Sequence, residues 1–184
     1  MNRIKPKTTE WFTYFPDDYR WSAAIGGMLG TSVVGASDMG EIDRTARKLS
    51  NKLGDDEAWF FAWKGLGDEL KARAESSEEK GHKITAALFY LRASCYYQWG
   101  ERFRTAKDEQ ALIVFKQSIE CFHRHAKLSP GPRIDIVEVP YEGKHLPGYF
   151  VHAENTDNLK NPTMIFFDGL DITKELQYAR GVPE

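Results

Sequence analysis

The feature that most constrains the fold is an unbroken apolar run over residues 164–167, which stops at the sequence Asp-Gly-Leu-Asp over residues 168–171. A short apolar run rich in β-branched and aromatic residues predicts a strand buried on both faces, as in a parallel sheet covered by helices. The residues Thr-Lys-Glu at 173–175 then predict the start of a helix. This order places backbone N–H groups over a reacting atom in α/β enzymes, but an ordinary strand-to-helix turn gives the same pattern.

Upstream of residue 129 the apolar residues recur at helical spacing, which predicts four packed helices. Glycines at positions 54 and 81 separate the first three patterns, as expected where helices end. The predicted buried faces consist of Ile42, Thr45, Ala46 and Leu49 in the first helix, Trp59, Trp63, Leu66 and Leu70 in the second, Ile84, Ala87, Leu88, Leu91, Cys95 and Trp99 in the third, and Leu112, Phe115, Ile119, Phe122 and Ala126 in the fourth.

The first 40 residues are aromatic and then glycine-rich, which favours an irregular segment with at most a short helix over residues 17–25. Aromatic residues ahead of a helical region usually pack on it, and lining a pocket is the alternative interpretation. The crowded aromatic positions are Trp11, Phe12, Tyr14, Phe15, Tyr19 and Trp21.

The pattern changes at the sequence Ser-Pro-Gly-Pro over residues 129–132, where two prolines and a glycine mark a boundary. Residues 133–141 and 145–153 then alternate in the manner of strands around a turn at Glu142 and Gly143, which predicts a β-hairpin. We therefore expect two domains, residues 1–130 and residues 131–184. Because a hairpin and one buried strand make an incomplete sheet, either another chain completes it or the sequence is the front portion of a longer α/β protein.

Several classes of protein and site find no support in the sequence. A net charge of −2 gives no electrostatic basis for binding nucleic acid or an anionic membrane. No nucleotide-binding glycine motif, secretory signal or membrane-length apolar stretch occurs, so we expect a cytoplasmic protein without a cofactor. Cys95 and Cys121 lie among apolar residues and are expected to be buried free thiols. His123 and His125 do not share a helix face and are expected to be surface residues rather than metal ligands.

Three segments together resemble the α/β-hydrolases related to 2,6-dihydroxypseudooxynicotine hydrolase and the fermentation-respiration-switch protein. Residues 81–101, GHKITAALFYLRASCYYQWGE, resemble a segment of that family's helical cap, and residues 133–153, RIDIVEVPYEGKHLPGYFVHA, resemble its opening hairpin. Residues 161–176, NPTMIFFDGLDITKEL, resemble its third strand and oxyanion turn. The resemblance implies a helical cap over an α/β-hydrolase core that acts on small-molecule esters or on carbon–carbon bonds beside a ketone.

The same resemblance indicates the site residues. It implies that Gly169 and Leu170 donate backbone N–H groups, and that Asp171 and Lys174 support the turn. Asp168 stands where many relatives have glycine, which leaves the identity of the donor open. The nucleophile elbow G-x-S-x-G is absent from this sequence, and in the family's order the nucleophile, the acid and the histidine would all follow residue 184.

We therefore predict an α/β protein that is the N-terminal portion of a serine hydrolase, with a helical cap followed by the opening strands of the sheet. The chain by itself is not expected to be active. The expected partner is a small-molecule substrate, with no nucleic acid and no membrane, and a homo-oligomer or a complementing chain is left open. The alternative is a helical interaction module, although the sequence shows no repeat of the expected length of about 34 residues and such a module has no use for a buried strand.

Overall fold

The computed structural model describes residues 12–104, 107–154, 161–167, 169 and 171–181. Among these residues, five α-helices lie between residues 19 and 128, and a two-stranded antiparallel sheet and a further short helix follow. The helices are α1 Tyr19–Gly30, α2 Met39–Arg47, α3 Asp56–Glu79, α4 Lys83–Glu101, α5 Glu109–Leu128 and α6 Lys174–Ala179, and the strands are β1 Ile134–Tyr141 and β2 Lys144–Val151. No helix within these described ranges has both the length and the apolar character needed to cross a bilayer.

Helix α1 corrects the prediction of an irregular glycine-rich start. The Asp18 carboxylate caps the helix by accepting from the Trp21 backbone N–H at 2.9 Å, and the helix continues through the glycines as far as Gly30. A Cβ atom on Gly27 would lie 2.4 Å from the Trp99 ring of α4. Glycine is therefore used here for close approach between helices, which outweighs its low helix propensity.

A chain of tryptophans forms the centre of the helical core. Trp21 and Trp59 have ring centroids 4.9 Å apart, Trp63 follows at 5.3 Å, and all three side chains are fully buried. The Trp59 indole N–H donates to the Trp99 carbonyl at 2.9 Å, which joins α3 to α4. The prediction that the early aromatics pack on the helices is confirmed for Trp21 and Phe15, whereas Phe12 is exposed.

Helices α2 to α5 lie where the apolar spacing predicts helices, but the predicted buried faces of α4 and α5 are partly wrong. Leu112 was expected in the core and is 50% exposed, and Ile84 and Leu88 are also exposed. Helix α5 packs between α4 and the hairpin, so the residues that it buries differ from those predicted. The buried residues of α5 are Ala111, Val114, Ser118, Cys121, Phe122 and His125.

The predicted hairpin is confirmed. Ile134 pairs with Val151 and Tyr141 with Lys144, so that Glu142 and Gly143 form a two-residue turn. Both turn residues have positive φ, 47° and 73°, which matches the twist of a tight hairpin. At its open end the hairpin packs on α5 through the Tyr149 ring, 4.6 Å from the ring of Phe122.

The predicted buried strand over residues 164–167 is wrong. These residues have no regular secondary structure, and Ile165 and Phe167 are 74% and 91% exposed. Within the described residues the sheet contains only β1 and β2, which pair with each other, so the run has no neighbouring strand to which its N–H and C=O groups bond. An apolar run of this kind becomes a buried strand only when further strands flank it.

Secondary structure changes over residues 129–133, as the proline-rich boundary predicts. Helix α5 ends at Leu128, the Ser129 N–H donates to the His125 carbonyl at 2.8 Å, and β1 begins at Ile134. The chain later returns to the helices through α6, whose Leu176 lies in the helical core. The division into domains of residues 1–130 and 131–184 stays a prediction.

Candidate functional site

The candidate turn connects the apolar run to α6. Gly169 is exposed, and a Cβ atom built on it would meet no atom of the other described residues within 4 Å. Asp168 and Leu170 lie outside the described residues. The space beside Gly169 therefore has room for another group, which is a requirement for a backbone donor that approaches a substrate.

Asp171, predicted to support the turn, is held by the end of α4. Its φ of 68° lies in the left-handed region, which non-glycine residues seldom adopt. Its backbone carbonyl accepts from Arg102 Nη1 at 2.9 Å, and its carboxylate lies 3.8 Å from Nη2 of the same guanidinium. The guanidinium also lies over the Trp99 ring, 5.1 Å from the centroid.

The first turn of α6 makes a second contact with α4. Thr173 is the N-cap of α6, and its hydroxyl oxygen accepts from the Leu176 backbone N–H at 3.3 Å. The same hydroxyl donates to Oε1 of Gln98, a buried residue of α4. The capping pattern Thr-Lys-Glu predicts the helix start. Nothing local in the sequence predicts that Gln98 accepts a hydrogen bond from the Thr173 hydroxyl.

Lys174 and Glu175 join the start of α6 to the hairpin. The buried Glu175 carboxylate accepts from Lys174 Nζ at 2.8 Å and from the Tyr149 hydroxyl at 2.6 Å. Burial alone raises the pKa of Glu175, but Lys174 and Tyr149 outweigh it and hold that pKa below the ordinary value. The predicted support residue Lys174 thus acts on Glu175, and its ammonium lies 5.0 Å from the centroid of the Tyr149 ring.

His123 extends this hydrogen-bonded chain into α5. Its Nε2 lies 3.1 Å from the Tyr149 hydroxyl oxygen. Because the Tyr149 hydroxyl uses its single hydrogen to donate a hydrogen bond to the Glu175 carboxylate, the hydroxyl oxygen accepts from an Nε2–H group of His123. Burial lowers the pKa of His123. His123, Tyr149 and Glu175 therefore connect α5, β2 and α6.

The prediction that His125 is a surface residue is wrong. Its side chain is buried, and its Nδ1 lies 3.0 Å from the Ala87 carbonyl of α4. A carbonyl only accepts, so Nδ1 carries the proton and Nε2 faces the Tyr178 hydroxyl at 3.5 Å. Burial lowers the pKa of His125, so the ring is held neutral between α4, α5 and α6.

The buried His125 predicts a loss of stability in mild acid. The unfolded chain takes up a proton near the ordinary histidine pKa of about 6.5, whereas the folded chain does so only at lower pH. Stability is therefore complete above about pH 6.5 and falls as the pH drops toward the folded pKa. We expect the free energy of unfolding to change less between about pH 7.5 and about pH 5.5 in His125→Gln than in the parent chain. Denaturant titrations at both pH values measure this, with the exposed His145→Gln as control, and an equal change in parent and His125→Gln would contradict it.

The two thiols are free and buried, as predicted. Burial raises the pKa of both Cys95 and Cys121 to about 12, so neither is a thiolate near neutral pH. Among the residues that the structure describes, no three or more His, Cys, Asp or Glu side chains are grouped so that they could hold a metal ion.

An open groove of about 690 Å³ is lined by residues of α3, α4 and α5, and none of the described turn residues line it. Its walls carry acidic and basic side chains from α3 and α5, with Arg124 paired to Glu78 across it. Glu78 also accepts from the Tyr90 hydroxyl at 3.1 Å. The groove lining therefore carries more acidic than basic side chains, with Glu75, Glu78, Glu79 and Glu120 against Lys71 and Arg124.

Curated proteins similar to this chain are fungal α/β-hydrolases. An alpha/beta hydrolase of Xenoacremonium sinensis is 29% identical over 91% of this chain and 39% of its own length. An alpha/beta hydrolase of an Acremonium species is 30% identical over 89% of this chain and 38% of its own length. The 20-hydroxy-prefusarin hydrolase of Gibberella moniliformis is 29% identical over 84% of this chain and 37% of its own length. No protein-family model matches the chain.

The chain spans about two fifths of the length of the curated relatives that it matches. Together with a helical region followed by a two-stranded hairpin, this similarity confirms the predicted fold class, a helical cap with opening strands of an α/β-hydrolase. The chain is thus similar to part of the length of these hydrolases.

Proposed function

We propose that this part of an α/β-hydrolase supplies the helical cap and the oxyanion turn of a serine hydrolase, with Gly169 and Leu170 as backbone donors. The observation that carries the proposal is the open space beside Gly169, at a turn that Arg102 and Thr173 tie to α4. Backbone N–H groups held at such a turn stabilise the negative charge that develops on a carbonyl oxygen during acyl transfer.

Asp171 and Lys174 act as supports in this proposal. Asp171 offers its carbonyl and carboxylate to Arg102, and Lys174 neutralises the buried Glu175 behind the turn. The G-x-S-x-G elbow is absent from the 184 residues, so the serine, the acid and the histidine belong to a further part of the enzyme.

The proposed substrate is a small molecule with a carbonyl carbon as the point of attack, either an ester or a carbon–carbon bond beside a ketone. A relative named 20-hydroxy-prefusarin hydrolase supports a small-molecule substrate. The narrower kinship with the hydrolases related to 2,6-dihydroxypseudooxynicotine hydrolase is likewise a proposal, based on the three segments over residues 81–101, 133–153 and 161–176.

A fluorophosphonate probe tests the assignment of roles. We expect the 184-residue chain to remain unlabelled, because hydrogen-bond donors without a nucleophile and base do not supply the covalent step. We expect the complete protein that contains this sequence to be labelled at one serine. Intact-protein mass spectrometry measures both, with the probe pre-hydrolysed as control. Stoichiometric labelling of one serine in the short chain, or no labelling of the folded complete protein, would contradict the proposal.

A further inference from the structure

The turn is held in place by the helical part and by the hairpin, and not by a neighbouring strand. In the described residues, the run over 164–167 that precedes it forms no strand pairing and is exposed. Contacts that reach Asp171 and the start of α6 include those from Arg102, Gln98 and Tyr149. The placement of the turn therefore depends on side chains far away in sequence.

Arg102 is the member of this group that contacts the turn backbone itself. It is the C-cap residue of α4, and its guanidinium is oriented by the ring of Trp99, which is buried. From this position Nη1 donates to the Asp171 carbonyl at 2.9 Å, while Nη2 lies 3.8 Å from the Asp171 carboxylate. One planar group thus contacts both the main chain and the side chain of a single residue.

The conformation of Asp171 gives this contact its significance. With φ of 68°, Asp171 adopts a backbone conformation that persists in a non-glycine residue only where the surroundings fix it. Arg102 supplies such a restraint two residues after Gly169. If Asp171 relaxed to an ordinary conformation, the peptide groups before it would change direction.

We propose that Arg102 is a positioning residue for the turn, acting through Asp171 on the backbone donor at Gly169. This role rests on the proposed function, because it assigns Arg102 a part in the same site. Arginine suits the role better than lysine, since only a planar guanidinium combines stacking on Trp99 with two directed N–H donors. The charge alone would attract Asp171 without fixing its direction.

The first test uses the 184-residue chain and needs no activity. Arg102→Gln removes the guanidinium that contacts Asp171, and the matched control Arg47→Gln removes an exposed guanidinium that pairs with the Asp43 carboxylate on α2. In ¹⁵N–¹H NMR spectra we expect the backbone amide signals of Gly169 and Ile172 to shift or broaden in Arg102→Gln and to stay in place in Arg47→Gln. Arg102→Lys, which keeps the charge, should show an intermediate effect. Unchanged Gly169 and Ile172 signals in a folded Arg102→Gln chain would overturn the inference, whatever the activity of the complete enzyme.

The second test uses the complete enzyme that contains this sequence. A misplaced donor weakens stabilisation of the transition state more than binding of the substrate, so we expect Arg102→Gln to lower kcat by about 10- to 100-fold, with KM within about twofold. Arg102→Lys should recover part of the loss, and Arg47→Gln should leave kcat unchanged. Equal kcat in Arg102→Gln and the parent would overturn the inference while leaving the hydrolase proposal intact. A folded parent enzyme that the fluorophosphonate does not label would overturn the proposed function, and the positioning role with it.

Discussion

Replacing Gly169 by valine in the complete enzyme is expected to lower kcat by about 10²- to 10³-fold, the range typical of losing one oxyanion donor. A Cβ atom at this position meets nothing within 4 Å in the described residues, so the valine side chain has room in the folded chain. Its methyl groups would instead occupy the space that the substrate carbonyl needs. Steady-state kinetics with an activated ester measures the effect.

A matched control for this substitution is Gly65→Val. Gly65 is also exposed with no atom within 4 Å of its Cβ position, but it lies in α3, away from the turn. We expect Gly65→Val to retain kcat, so that a loss confined to Gly169→Val reports on the turn. Full kcat in a folded Gly169→Val enzyme would show that the turn is an ordinary connection leading into α6.

Replacing Trp59 by alanine is expected to lower the free energy of unfolding by about 3–5 kcal/mol, as for other fully buried tryptophans. The Trp59 ring contacts the rings of Trp21, Trp63 and Phe103, and its N–H is the donor to the Trp99 carbonyl. Its loss therefore leaves a cavity where α1, α3 and α4 meet and an unpaired carbonyl inside it. Urea unfolding followed by far-ultraviolet circular dichroism measures the change.

The neighbouring Phe61→Ala serves as the control for Trp59→Ala. Phe61 lies two residues further along α3, and its side chain is 46% exposed, so its truncation creates no buried cavity. We expect it to cost less than about 1 kcal/mol. Similar losses in the two variants would contradict the view that the tryptophan chain is the centre of the core.

The sequence predicts those parts of the fold that depend on local spacing. Helix α3 and the hairpin turn at Glu142 and Gly143 can both be predicted from nearby residues, because the residues that interact are close in the chain. The helix over Gly26 and Gly27 could not be predicted from glycine propensity, since the reason for glycine at position 27 is the ring of Trp99, more than 70 residues away.

The candidate site divides in the same way. The turn and the N-cap at Thr173 are local and were predictable, whereas the supports are not. Arg102 contacts a residue 69 positions away, and Tyr149 contacts Glu175 across 26 positions. A basic residue at the end of α4 is common near helix C-termini and carries no sign of a distant partner. The predicted strand over 164–167 failed because its burial depends on strands that the described residues do not contain.

The attachment of the turn to α4 has a consequence for recombination among related enzymes. Arg102 with Asp171, and Gln98 with Thr173, are pairs whose members lie on opposite sides of the hairpin in the chain. A chimaera that exchanges the helical region alone would separate both pairs. The turn of one enzyme would then face helices from another that lack its partner residues. Transplanted caps should therefore work best when residues 171–173 travel with the helices, and the two pairs should change together as such enzymes diverge.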